Sequence, residues 1–232
     1  MPRGGSLGSF AYSVFKGLVK QKIKIDICKK YHIIFYMSKY PNSISMNFTP
    51  FTQLISDFKG KNIPDEQIKA DYNNTLNYPN NYFLAPDSWH ECFYTTSKKN
   101  MLLLSQGLEN ILRIKPPFNK FILVSLFQRK SNFNSVAEQY ATISPLSKKT
   151  YLIGEKGLAR GVNLSNVEVI DFTGSGLEKN WVVIAIAKDE GCALIAEEIK
   201  SDRYRGFFTT NRNLTNRCLN IIRESLNIEI EI

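Results

Sequence analysis

The chain has 232 residues, 43% hydrophobic and 22% charged, which fits one globular domain with an appendage and requires no metal or disulfide to hold it together. Cys28, Cys92, Cys192 and Cys218 are widely spaced with no Cys-x-x-Cys pair, a pattern of free thiols in a reducing compartment. The net charge of +9 is local: residues 1–45 hold eight basic side chains and one acid (+7), while residues 46–232 hold 22 and 20 (+2), so the body has no basic excess for nucleic acid.

Within the leader, Tyr31 to Met37 is apolar but too short to span a bilayer. Ser9 to Val19 is broken by Lys16 and offers no signal-peptide core. The charge break points to Met46, or Met37, as the start of translation; the alternative use is a basic membrane-surface helix. Residues 46–87 are expected to form one helix, Phe48 to Phe58, followed by an irregular segment. Phe51, Leu54, Ile55 and Phe58 give the helix its apolar face and Gly60 its stop. Residues 59–90 lack periodicity and carry Pro64, Pro79 and Pro86, so they read as a long connection. Tyr72, Tyr78, Tyr82 and Phe83 are expected to pin it to the surface.

Regular structure is predicted to return with a strand at Glu91 to Thr95. Ser97 then caps a helix running to about Arg113, ended by Pro116-Pro117. Phe121 to Phe127 is a nearly continuous apolar run, suited to a strand buried on both faces. A helix opened by Asn132 follows, from Phe133 to Ile143, then a strand at Thr150 to Ile153. This alternation favours parallel strands with crossover helices. Val167 to Ile170 is a further strand. Trp181 to Ala187, Ala193 to Ile199 and Arg203 to Thr210 are joined by hairpin turns at Asp189 to Gly191 and Ser201-Asp202, an antiparallel meander. Asn211 or Asn213 caps a last helix with Leu214, Cys218, Ile221, Ile222 and Leu226 on one face. The tail, Ile228 to Ile232, alternates like an edge strand or frays. The expected fold is mixed α+β: one sheet, parallel βαβαβ in its first half and an antiparallel meander in its second, with helices packed on it.

Catalytic signatures are thin. The histidines are His32 and His90. His90 and Cys92 would share a face on a strand, but two ligands do not make a zinc site. The glycines at 154, 157 and 161 match neither phosphate-loop nor dinucleotide spacing and read as a connection. Gly174-Ser-Gly176 reads as a turn needing positive φ. Glu197 and Glu198 point to opposite faces of a strand. The best candidate surface is Phe127-Gln128-Arg129, where an apolar strand meets a helix. Ligands of open α/β sheets favour the carboxyl ends of strands. Arg129 would pair with an anion and Gln128 would orient a ligand by hydrogen bonds; in the plainer reading Phe127 is core and Arg129 is solvated or salt-bridged to Glu138. Trp181 lines a pocket or the core. Arg203, Tyr204, Arg205 and Phe207 suggest a stacking surface for single-stranded nucleic acid.

Three blocks, in order, resemble the DICT domain, a sensory domain of diguanylate cyclases and two-component systems. The first is Phe127-Gln128-Arg129, then Glu138 and Tyr140 on a helix, then Tyr151 opening a strand. The second is Asp171, Leu177, Trp181 and Val182-Val183. The third is Arg205-Gly206-Phe207-Phe208 before the last helix. Gln139 replaces the Arg that usually precedes the helix Tyr, and Asn180 the acid that often precedes the Trp. The resemblance covers residues 88–226 and makes 88–232 the sensory domain. It implies a cytoplasmic, non-catalytic bacterial signalling domain with no cofactor, linked in its family to light responses. It adds Tyr140 to Phe127, Gln128, Arg129 and Trp181 as candidate ligand contacts. The partner would be a separate signalling protein or output domain, with a small-molecule ligand or a homodimer as further expectations and no nucleic acid or membrane span. The alternatives are an enzyme binding a nucleotide or phosphate ester through Arg129 and the 154–161 glycines, and a nucleic-acid regulator using the leader.

Overall fold

Alternating side chains on the central strands divide the apolar residues between two sheet faces, and helices cover both. The computed structural model describes residues 49–75, 89–110, 112 and 120–232. The expectations for the leader, for residues 76–88 and for Pro116-Pro117 lie outside these.

Eight strands form one mixed sheet in the order β1-β2-β8-β7-β6-β3-β4-β5. They are β1 (Lys61–Ile63), β2 (Cys92–Ser97), β3 (Ile122–Phe127), β4 (Lys149–Gly154), β5 (Val167–Asp171), β6 (Asn180–Ile186), β7 (Gly191–Lys200) and β8 (Arg203–Thr209). The helices are α1 (Thr52–Asp57), α2 (Asp65–Thr75), α3 (Lys98–Glu109), α4 (Lys130–Asn134), α5 (Ala137–Ile143) and α6 (Arg212–Leu226). Pairs β1/β2, β3/β4 and β4/β5 are parallel; β6, β7 and β8 form the antiparallel meander. The mixed fold read from the sequence is therefore present. One arrangement differs from simple alternation. β2 and β3 run in the same direction, but the whole meander lies between them. β5 joins the parallel part, as an edge.

On one face, Ile68 of α2, Met101, Leu104 and Leu108 of α3, Phe133 and Tyr140 meet Leu123, Leu152, Val183, Leu194 and Phe208. On the other, the N-cap Phe51 with Leu54 and Ile55 of α1, and Cys218, Leu219 and Ile222 of α6, meet Val124, Ile153, Val182, Ile184, Ile195 and Phe207. β3 and β6 contribute to both clusters, as a doubly covered strand must.

Several local expectations hold. Ser97 caps α3 by accepting from Asn100 N at 3.4 Å, and Asn211 caps α6 by accepting from Asn213 N and Leu214 N at 3.0 and 3.1 Å. Gly174 and Gly176 have φ of 80° and 81°. Glu197 is buried on one side of β7, while Glu198 on the other accepts from Asp202 N.

Others are corrected. Residues 61–75, read as irregular, form β1 and α2. The short strand gains its stability from pairing with β2, and α2 from its contacts with Trp89 and the Asp65 clip, neither visible as periodicity. Glu91 is not a strand residue: it lies in the left-handed region (φ 53°). From there its carbonyl accepts from Lys61 N, and its carboxylate accepts from Thr209 Oγ1, Thr210 N and Asn211 N. The helix predicted over 133–143 starts earlier, at Lys130, and is broken at Val136, whose φ and ψ are −125° and 7°. The tail neither frays nor pairs as an edge: Asn227 ends α6 in the left-handed region, Ile230 is fully buried, and Arg223 donates to its carbonyl.

Asp65 at the start of α2 is a clip between elements distant in sequence. Its carboxylate accepts from Thr96 Oγ1, from Asn100 Nδ2 at 3.0 Å and from Arg203 Nη1 at 3.2 Å. Burial acts to raise its pKa, but the hydrogen bonds from Thr96 and Asn100 and the Arg203 charge outweigh it, and the net direction is below 3.8. A depressed acid stabilises the fold above its unfolded pKa, and that contribution is lost as pH falls through the folded value. Asp65→Asn is expected to cost about 1–3 kcal/mol in urea unfolding at pH 7 and to flatten the acid limb of the stability curve. A second check uses the thiols. Burial pushes Cys92 and Cys218 up to about 12, so a thiol reagent at pH 8 is expected to label them only after denaturation.

Candidate functional site

The carboxyl end of β3 faces the amino end of β6, and α3, α4 and α5 cover this junction. In this apolar layer four polar side chains are buried: Ser105 and Glu109 one turn apart on α3, Ser125 in the middle of β3, and Trp181 near the start of β6. Trp181 Nε1 donates to Ser105 Oγ at 2.8 Å. Tyr140, fully buried on α5, donates to Glu109 Oε1, and its hydroxyl lies 2.7 Å from Ser125 Oγ. Gln139 Nε2 donates to Glu109 Oε2 at 2.6 Å. Gln139, which stands where the resembling family usually has Arg, therefore meets a carboxylate in this fold.

Ser105, Glu109, Ser125 and Trp181 border a cavity of about 20 Å³ whose wall also includes Gln106, Phe127, Asn132 and Val136, with Tyr140 hydrogen-bonded behind two of them. That is room for about one water molecule. Half-buried Leu102, Gln106, Asn132 and Val136 separate it from solvent. The outer wall thus belongs partly to α4 and to the break before α5, the least regular part of the layer.

The five predicted residues divide three ways. Phe127, Tyr140 and Trp181 surround the cavity network, and Phe127 meets Phe133 and Tyr140 edge-to-face at 5.3 Å each. Gln128 lies alongside: its Oε1 accepts from Tyr204 OH at 2.9 Å, and Tyr204 stands edge-to-face to Trp181 at 5.6 Å. Gln128 Nε2 is buried with no hydrogen-bond partner. Arg129 is exposed at the N-cap of α4, as the solvated reading had it, and among the described residues it makes no salt bridge to Glu138.

Sequence reasoning missed Ser105, Glu109 and Ser125, and placed Tyr204 in a stacking surface instead of here. A signal existed for the first three. Ser125 interrupts the apolar run of β3, and Ser105 and Glu109 fall on the helix face set by Met101, Leu104, Leu108 and Leu112.

Other candidates change character. His90 lies in the turn before β2, so strand alternation does not align it with Cys92. Leu158 is fully buried, which ties the 154–161 loop to the core. Tyr204 and Phe207 are buried, and Phe207 stacks on Phe58 at 4.4 Å, which removes the proposed base-stacking surface. Among the described residues, no group of three or more His, Cys, Asp and Glu is arranged to hold a metal, and no helix is long and apolar enough to cross a membrane.

Residues 85–199 match the DICT family, described as the sensory domain in diguanylate cyclases and two-component systems. No curated protein and no solved structure matches. The match ends within β7, but the sheet continues: β8, outside it, is the strand that joins β7 to β2.

Burial and the Glu109 charge push the Tyr140 phenol well above 10. Its neutral form therefore stabilises the fold below the unfolded pKa, and the contribution is lost as pH rises through the folded value. In an alkaline titration followed at the phenolate absorbance, Tyr140 is expected to ionise only with unfolding. Tyr140→Phe leaves the same ring but removes the donor to Glu109, and is expected to cost about 1–3 kcal/mol.

Proposed function

We propose that this chain, which belongs to the DICT family through residues 85–199, is a non-catalytic cytoplasmic module of bacterial signal transduction that works by ligand- or partner-dependent population shift. The observation that carries this reading is a buried polar cluster, Ser105, Glu109, Ser125, Tyr140 and Trp181, beside a small cavity under two short helices. Such a cluster gives a bound molecule directional partners, and α4 and α5 have few residues with which to resist displacement. Phe127, Gln128 and Trp181 are the contacts proposed for a small ligand, with Arg129 at the outer rim. The output is assigned to a separate signalling protein or a second copy of the chain, in a two-component or light-responsive setting.

The deciding test is native mass spectrometry of the full chain purified gently from its source cells, paired with hydrogen exchange. The expected result is a discrete excess mass that Val136→Phe, which fills the cavity wall, abolishes without unfolding the chain. Exchange over residues 130–143 is expected to slow when that mass is present. A bare wild-type mass, with exchange over 130–143 as slow as in β3 and β6, would sink the ligand-driven mechanism.

A further inference from the structure

On the opposite face of the sheet, β2, β8, α1 and the segment after α1 border an open groove of about 440 Å³, lined by Ile55, Ser56, Phe58, Gly60, Phe93 and Arg205. Its volume lies within the range of small-molecule sites. The register explains why these residues meet. Phe93 pairs with Phe207 across β2 and β8, and Glu197 pairs with Arg205 across β7 and β8, so the four side chains share one face. Phe58 stacks on Phe207 at 4.4 Å and forms the wall beside α1. A Cβ at Gly60 would collide with the Glu91 carbonyl and the Phe58 ring, so glycine lets the chain pass close beneath that wall.

Arg205 is held as a binding group would be. Its Nε donates to Glu197 Oε1 at 2.6 Å, and Glu197 is 4% exposed. Glu197 Oε2 is in turn fixed by donation from Thr49 Oγ1 at 3.1 Å and Thr52 Oγ1 at 2.6 Å. This anchoring uses one nitrogen of the guanidinium. Among the described residues its two terminal nitrogens engage no acceptor, and the Arg205 side chain is 38% exposed. An oriented, planar pair of donors beside two aromatic rings and an isoleucine is complementary to a carboxylate carried on an apolar body.

We propose that this groove is a second ligand site, for a small organic acid bearing one carboxylate on an aromatic body. The carboxylate takes the terminal nitrogens of Arg205, and the body lies against Phe58, Phe93 and Ile55. Because Glu197 connects Arg205 to Thr49 and Thr52, the site also touches the contacts that hold α1 to the sheet. It stands apart from the Tyr140 cavity and does not depend on a ligand there.

The test uses the full chain labelled with nitrogen-15, titrated with 3-phenylpropionate and separately with the neutral 3-phenylpropan-1-ol. The acid is expected to give saturable shifts at the amides of Ser56, Gly60, Phe93 and Arg205. The alcohol is expected to bind at least about tenfold more weakly, since it cannot form the charged bidentate pair. Arg205→Lys is expected to weaken the acid about tenfold. Phe93→Leu, which leaves the Arg205–Glu197 pair intact, is expected to weaken acid and alcohol alike, so the proposal does not rest on a variant that loosens α1. Equal binding of acid and alcohol, absence of saturable shifts, or shifts confined to residues around Tyr140 would each overturn it.

Discussion

The placement of β8 between β7 and β2 is the constraint from which the rest of the architecture follows. β2, β3, β4 and β5 run in one direction, yet β2 is separated from the others by three antiparallel strands. β8 hydrogen-bonds on both sides, and little room is left there: a Cβ at Gly206 would collide with the Ile195 carbonyl. This placement explains the glycine inside Arg205-Gly206-Phe207. It also explains why a family match that ends in β7 describes a sheet that β8 must complete. Without β8, β1 and β2 would have no partner linking them to the remaining strands.

Inserting the meander also brings the two candidate sites into being. It sets the start of β6 beside the end of β3, so Trp181 and Ser125 come under α3 and α5. It aligns Glu197 with Arg205 and Phe93 with Phe207 on the other face. Each site is built around a buried carboxylate, Glu109 or Glu197, and each carboxylate is satisfied by donors from a helix or the segment leading into it. Burying an ionised group without such partners is costly, while removing one member of a satisfied set leaves the other exposed to that cost. Glu109 therefore ties α5 to α3, and Glu197 ties α1 to the meander.

The two faces differ in how they admit a partner. Beside Tyr140 the polar atoms are largely satisfied and the space is water-sized, so any larger occupant requires α4 and α5 to move. Beside Arg205 the space already exists, and the guanidinium is partly exposed with its two terminal nitrogens engaging no acceptor among the described residues. In the proposed readings, the first site would couple occupancy to displacement of α4 and α5, and the second would bind at an open groove linked through Glu197 to α1.

The sequence by itself determined the local elements whose signals are local. The apolar run of β3, the caps Ser97 and Asn211, the turn at Gly174 to Gly176 and the tight links of the meander all follow from side-chain chemistry within a few residues. It also brought Phe127 and Trp181 forward from their places on apolar strands, and Tyr140 through the family pattern. Tertiary structure alone decided the rest. β1 and α2 lack a periodic signal because β2, Trp89 and the Asp65 partners Thr96, Asn100 and Arg203 hold them from a distance. Strand order cannot be read from strand identity, since antiparallel pairing of β6 with β3 and of β8 with β2 depends on contacts far apart in the chain. Ser105, Glu109, Ser125 and Tyr204 became a site for the same reason: a polar residue on an apolar face shows its role only when the fold supplies the donor or acceptor that makes its burial affordable in free energy.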